Sequence, residues 1–137
     1  MSEMNDFNAK IIDEFRANAG VVGGMFAGAP MILVTHTGAK SGKSYTAPLV
    51  YSTDGDRYVI IASKGGAPED PQWYRNMVAN PAVTVEVGTE TFAATASEAK
   101  GAERDRLYAA QAEQMPNFAE YAKATTRTIP VLVLTRS

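Results

Sequence analysis

Short β-branched segments, separated by glycine, proline and asparagine, run through most of this chain and limit its architecture more than any other feature. Met31–Thr37, Tyr45–Ser52, Arg57–Ser63, Ala82–Val87, Thr91–Ser97 and Ile129–Thr135 each have the length and residue types of a strand. Val83, Val85 and Val87 alternate with Thr84 and Glu86, which gives one buried and one wet face. Asp54-Gly55 between two of the segments signals a hairpin, because glycine accepts the positive φ of a tight primed turn. Helices interrupt the series rather than alternate with it. Asp70 is placed to cap a helix with Pro71 at its first position, and Asn80-Pro81 ends it. Ala102–Gln114 reads as a polar-faced helix closed by Pro116, and Asn117 with Glu120 resembles a capping box for a short piece through Lys123. The βαβ alternation of a doubly wound sheet is absent. A mainly β fold with helices (α+β) is expected, built as a small closed or split β-barrel.

The expected organisation is one domain over residues 1–137, with an N-terminal helix at 1–19 and a barrel with inserted helices at 31–135. Phe7, Ile11, Ile12 and Phe15 fall on one side of the first helix, a stripe expected to pack on the domain or on a partner subunit. Glu3, Asp6, Asp13 and Glu14 interrupt that segment, so it is not read as a signal peptide, and its mixed-sign polar face disfavours a peripheral membrane contact. No window approaches the ~20 apolar residues that cross a bilayer. A net charge of −2 gives no general attraction to nucleic acid or to anionic membrane. The absence of cysteine excludes disulfides, thiolate metal sites and a thiol nucleophile, and fits a cytoplasmic location.

Against this acidic background two basic loops stand out: Thr37–Ser44, reading TGAKSGKS, and Ser63–Gly66, reading SKGG. Small residues beside lysines, with free backbone N–H groups, are what an anionic ligand tail requires. The first loop is not a nucleotide-triphosphate loop. Three residues rather than four separate Gly38 from Gly42, and a strand rather than a helix follows. In the second, the glycines allow close backbone approach to a ligand, and Ser63 or Lys64 is placed to donate to one of its oxygens. His36 is the one histidine, and no acidic partner or serine motif lies near it. It reads as structural, and no transition-metal site is expected. No carboxylate pair suits acid–base hydrolysis, so any redox chemistry would come from a bound cofactor.

Thr35-x-Thr-Gly-x-Lys-Ser-Gly42, Pro48-Leu49, Ala62-Ser-Lys-Gly-Gly66, Pro71-x-Trp73-Tyr74 with Asn76, Ala79-Asn-Pro81 and Arg127-Thr-Ile-Pro130 occur in that order. As an ordered set they resemble the deazaflavin (F420)-dependent nitroreductases and F420H2-dependent quinone reductases of mycobacteria and other actinobacteria. The resemblance implies an FMN-binding split-barrel-like fold, often dimeric, that binds coenzyme F420. It also implies hydride transfer from the reduced cofactor to quinones, activated enones or nitroaromatics. By position, Lys40, Ser41, Gly42 and Lys43 would hold the phosphate and oligoglutamate tail. Ala62, Ser63, Lys64, Gly65 and Gly66 would line the phosphate and ring, with Pro48, Trp73 and Asn76 close by.

The chain departs from the family pattern at two places. Ala39 stands where members often carry arginine, and another basic residue is missing near Tyr45, so either the tail is held more weakly or Lys43 compensates. A run of tyrosines in the nitroreductase is replaced by Met115, Phe118 and Tyr121, which implies a more apolar acceptor site suited to a quinone or enone. Ser63 is the expected donor to the oxygen that gains charge, and Tyr121 a second donor or substrate contact. Two alternatives accompany this reading: an FMN oxidoreductase on a similar barrel, and a non-catalytic F420 carrier.

Overall fold

The computed structural model describes residues 3–18, 20, 31–62, 71–125 and 128–137, with side chains from Ala9 onward except at Asn117. In chain order the elements are α1 (Glu3–Ala17), β1 (Met31–Thr37), β2 (Ser44–Val50), β3 (Ser52–Asp54), β4 (Arg57–Ile61), α2 (Gln72–Ala79), β5 (Ala82–Val87), β6 (Glu90–Ala99), α3 (Gly101–Gln114), α4 (Asn117–Ala124) and β7 (Val131–Arg136). Among the described residues all strand pairs are antiparallel, in one seven-stranded sheet of order β2-β1-β5-β6-β7-β4-β3. Only Tyr51 separates the two edge strands, β2 and β3, in the chain. One extended stretch therefore supplies both edges, and the sheet must curl for it to do so, as a split barrel does. The single strand expected at Tyr45–Ser52 is thus two, bent where the barrel turns its corner.

Alternation along the strands sorts the apolar residues to two faces. Ile32, Val34, Ile60, Val83, Val85, Leu132 and Leu134 form the interior cluster with Met77 of α2. On the opposite face Val59, Ile61, Val131 and Val133 lie under Leu107 and Tyr108 of α3 and Phe118 of α4. β7 is buried on both sides, which is why Val131–Leu134 reads as a continuous apolar run rather than an alternating one. A third cluster seats the N-terminal helix: Phe15 is buried on Met31 and Leu33, with Ile11 and Ile12 half-buried beside it. Arg16 donates to both carboxylate oxygens of Glu86, at 3.1 and 2.9 Å, and so ties α1 to β5. The expected stripe packs on the chain's own sheet; the Phe7 side chain lies outside the described residues. Among the described residues no helix is long and apolar enough to cross a membrane.

Gly55 has φ 64° in the two-residue loop between Asp54 and Arg57, the hairpin that the Asp-Gly pair predicts. Arg106 of α3 and Arg57 both donate to Asp54, which holds its carboxyl down to about 2 and pins the hairpin to the helix. Two caps differ from expectation by one position. Pro71 is itself the N-cap of α2: its φ of −67° suits either position, but its ψ of 153° is extended, so the helix starts at Gln72, and Asp70 lies outside the described residues. Pro116 takes the cap of α4 in a helical conformation (φ −58°, ψ −22°), so Asn117 is already the first helical residue rather than the cap expected for it.

Candidate active site: a cationic cleft between the β1–β2 loop and α2

The β1–β2 loop closes on itself before it meets any ligand. The Gly38 amide donates to the Lys43 carbonyl at 2.8 Å, and the Gly42 amide to the Gly38 carbonyl at 3.1 Å. The Lys43 amide donates to Ser41 Oγ at 3.2 Å, and that hydroxyl shares a hydrogen bond with the Tyr45 hydroxyl at 3.2 Å. A Cβ at Gly38 would meet Ser41 Oγ at 2.6 Å and the Tyr45 ring at 3.0 Å, so a side chain there would displace the Ser41 hydroxyl from its bonds. The Ala39 amide leaves the loop and donates to Asn76 Oδ1 of α2 at 3.0 Å. Three of the loop's amides are therefore spent on its own shape and a fourth on Asn76. Those of Lys40 and Ser41 have no partner among the described residues.

Asn76 is the strut of this corner. Its side chain is buried, its Oδ1 also accepts from Gln72 Nε2 at 3.1 Å, and its Nδ2 meets His36 Nδ1 at 3.1 Å. With Oδ1 occupied by two donors, Nδ2 must donate, and His36 Nδ1 is then an acceptor on a neutral ring. Burial pushes the His36 pKa below its ordinary 6.5, in the same direction. The unfolded chain then binds a proton that the folded chain excludes. The contribution of His36 to stability is full above pH ~6.5 and is lost as pH falls through the lowered folded value. Thermal melts from pH 8 to pH 5 are expected to show this fall, and a His36→Gln variant to show less of it.

Around this corner opens a cleft of about 720 Å³. One wall is Gly38, Ala39, Lys40 and Ser41, a second is Tyr45, Thr46 and Ala47 of β2 with His36, and the third is Gln72, Trp73, Arg75 and Asn76 of α2. The described residues of the lining hold two cations and no carboxylate. Among the described residues neither Lys40 nor Arg75 has an ion-pair partner. A flat ring with an anionic tail asks for such a place: aromatic and small apolar walls, unspent amides, and cations that no described side chain neutralises.

Of the residues singled out from sequence, the cleft collects Lys40, Ser41, Trp73 and Asn76. Gly42 and Lys43 are exposed on the loop outside the lining, and Pro48 sits opposite Leu33 on the edge strand, the kind of strand in which proline is tolerated. Ala62 is buried at the end of β4, its amide bonded to the Pro130 carbonyl at 2.9 Å. Ser63, Lys64, Gly65 and Gly66 lie outside the described residues. Met115, Phe118 and Tyr121 are not on the cleft. Phe118 is buried in the exterior cluster, with the half-buried Met115 and Tyr121 packed on it and the Tyr121 ring edge-on at 5.3 Å. Sequence reading passed over Gln72 and Arg75. Helical spacing was the available signal, because residues 72, 73, 75 and 76 fall on one side of a helix.

A family profile described as F420H(2)-dependent quinone reductase matches residues 9–136. An F420H(2)-dependent quinone reductase of Mycobacterium tuberculosis is 43% identical over 126 residues, covering 89% of this chain and 85% of the relative. The solved structure of an F420H2-dependent reductase of the FDR-A type is 42% identical with a TM-score of 0.71, covering 77% of this chain and 93% of that one. A solved domain-swapped dimer is 37% identical with a TM-score of 0.73, covering 96% of both chains. The ordered motifs, the curled antiparallel sheet and these likenesses agree: the chain belongs to the F420H(2)-dependent quinone reductase family.

Proposed function

We propose that the chain binds reduced coenzyme F420 in the cleft beside the β1–β2 loop and uses it to reduce a planar conjugated acceptor, a quinone first and an activated enone or nitroaromatic second. The observation that carries this reading is the cleft's pair of cations, Lys40 and Arg75, neither of them ion-paired among the described residues, in a chain of this family. When bound, the deazaflavin supplies the hydride. The protein's part is to hold and orient. Lys40 Nζ and the Lys40 and Ser41 amides receive tail anions, Lys43 adds charge at the loop's outer side, and Trp73 gives a flat apolar wall. Ala62 ends β4, and of the residues that follow it in sequence, Ser63 is the proposed donor to the acceptor oxygen that gains charge, and Lys64, with Gly65 and Gly66, a further phosphate contact. Met115, Phe118 and Tyr121, expected from sequence to meet the acceptor, pack together on the opposite face of the sheet and take no part in this cleft's proposed contacts. Orienting two planar reactants face to face supplies most of the rate in such a site. The chain's likeness to a domain-swapped dimer supports a homodimer as the working form.

Fluorescence titration with F420 and with FMN tests the cofactor, and oxidation of F420H2 by menadione tests the reaction. Lys40→Glu is expected to weaken F420 binding by roughly 10- to 100-fold, the worth of one charge-assisted hydrogen bond turned repulsive. Binding of FMN alone would overturn the reading in favour of a flavin enzyme. Tight F420 binding without turnover of quinones, enones or nitroaromatics would leave a carrier.

A further inference from the structure

Arg75 stands apart from the other described arginines. Arg16 is paired with Glu86, Arg57 and Arg106 with Asp54, and Arg136 with Glu90. Arg104 donates to the Ile129 carbonyl at 3.1 and 2.8 Å. Arg75 has no acceptor among the described residues, and it lines the cleft from the wall that faces the β1–β2 loop.

Its base is also held in place relative to Lys40. The Ala39 amide, one residue before Lys40, donates at 3.0 Å to the side chain of Asn76, one residue after Arg75. Asn76 is in turn buried and bonded to His36. A single hydrogen bond therefore ties together the backbone positions from which the two cations spring. Their stems start from a fixed separation, and only the flexible ends remain to be ordered by a ligand, which lowers the entropy cost of gripping one.

We propose that Arg75 is a specificity-determining residue that, with Lys40, forms a two-sided clamp on the anionic tail of the ligand, so that affinity depends on how many anionic groups the tail carries. This rests on the cofactor reading above. Lys40 delivers a point charge from the loop side, and Arg75 presents a planar fork suited to a carboxylate or phosphate. A ligand with one anionic group engages one arm. A phosphate followed by carboxylates engages both.

The test compares binding of F420 and of its phosphate-free deazaflavin riboside by fluorescence, for the wild type, Arg75→Gln, Arg75→Lys and Lys40→Gln. Arg75→Gln is expected to weaken F420 binding about tenfold, to leave the riboside within about twofold, and to flatten the salt dependence of F420 affinity. Arg75→Lys should recover part of the loss. Unchanged melting of the exposed Arg75 variant would confirm that the fold is intact. Equal affinities of wild type and Arg75→Gln for F420, or equal losses for F420 and the riboside, would overturn the clamp while the cofactor reading stands. A wild type that binds neither compound would overturn both.

Discussion

Asn76→Ala is expected to lower the free energy of unfolding by about 2–4 kcal/mol and, at the same time, to weaken F420 binding. The substitution strands the Ala39 amide and buried His36 Nδ1, each at a cost of roughly 1–3 kcal/mol when no partner replaces the lost one. The Asn76 side chain bonds the Ala39 amide of the β1–β2 loop, His36 of β1 and Gln72 of its own helix. Without it the loop that carries Lys40 has only its internal bonds to define it. Urea unfolding measures the first effect and cofactor titration the second. Asn76→Asp keeps the two acceptor bonds and replaces the donor to His36 with a negative charge. It should cost less and should raise the pH at which His36 protonates, a shift visible by NMR. If Asn76→Ala left cofactor affinity unchanged, the strut would serve the fold alone.

Leu132→Ala is expected to cost about 3 kcal/mol, within the 2–5 kcal/mol range for fully buried leucines, with no change in the affinity of the molecules that remain folded. Leu132 is 1% exposed and pairs with Ile60 of β4 and Glu98 of β6, in the strand that is buried on both sides. The loss comes from transfer of the side chain and from the cavity left in a sheet that cannot collapse around it. β7 is separated from β1 by β6 and β5, so the cleft should not register the change. The contrast with Asn76→Ala is the informative result: one substitution lowers stability alone, the other stability and binding together. Comparable loss of affinity in both would mean that the cleft depends on the whole sheet rather than on its corner.

The strands were legible because burial imposes a period on them. Val83-x-Val85 declares one buried face, and the unbroken run in β7 declares two, since helices cover one side and the barrel interior lies on the other. The break at Tyr51 left no comparable mark. Tyr45–Ser52 has the composition of one strand, and only the demand that its two halves pair with β1 and β4 divides it. The helix caps were misplaced by one residue at Pro71 and Pro116 for a local reason: proline's fixed φ suits both the cap and the first helical position, and neighbouring residues do not arbitrate.

At the cleft, the chain alone marked Lys40, Ser41, Trp73 and Asn76 through their order among motifs, and it left Arg75 looking like any solvated cation on a helix. By itself the sequence determined what is local or periodic: strand faces, turns, the basic character of the loop at 38–43 and the family to which such an ordered set belongs. Tertiary structure alone decided that Asn76 reaches back across the sheet to Ala39, and that Arg75 and Lys40 face one space. The physical reason is distance along the chain. Side-chain periodicity carries information over a few residues, whereas a bond between residues 39 and 76 exists only once sheet curvature and helix docking have brought them together.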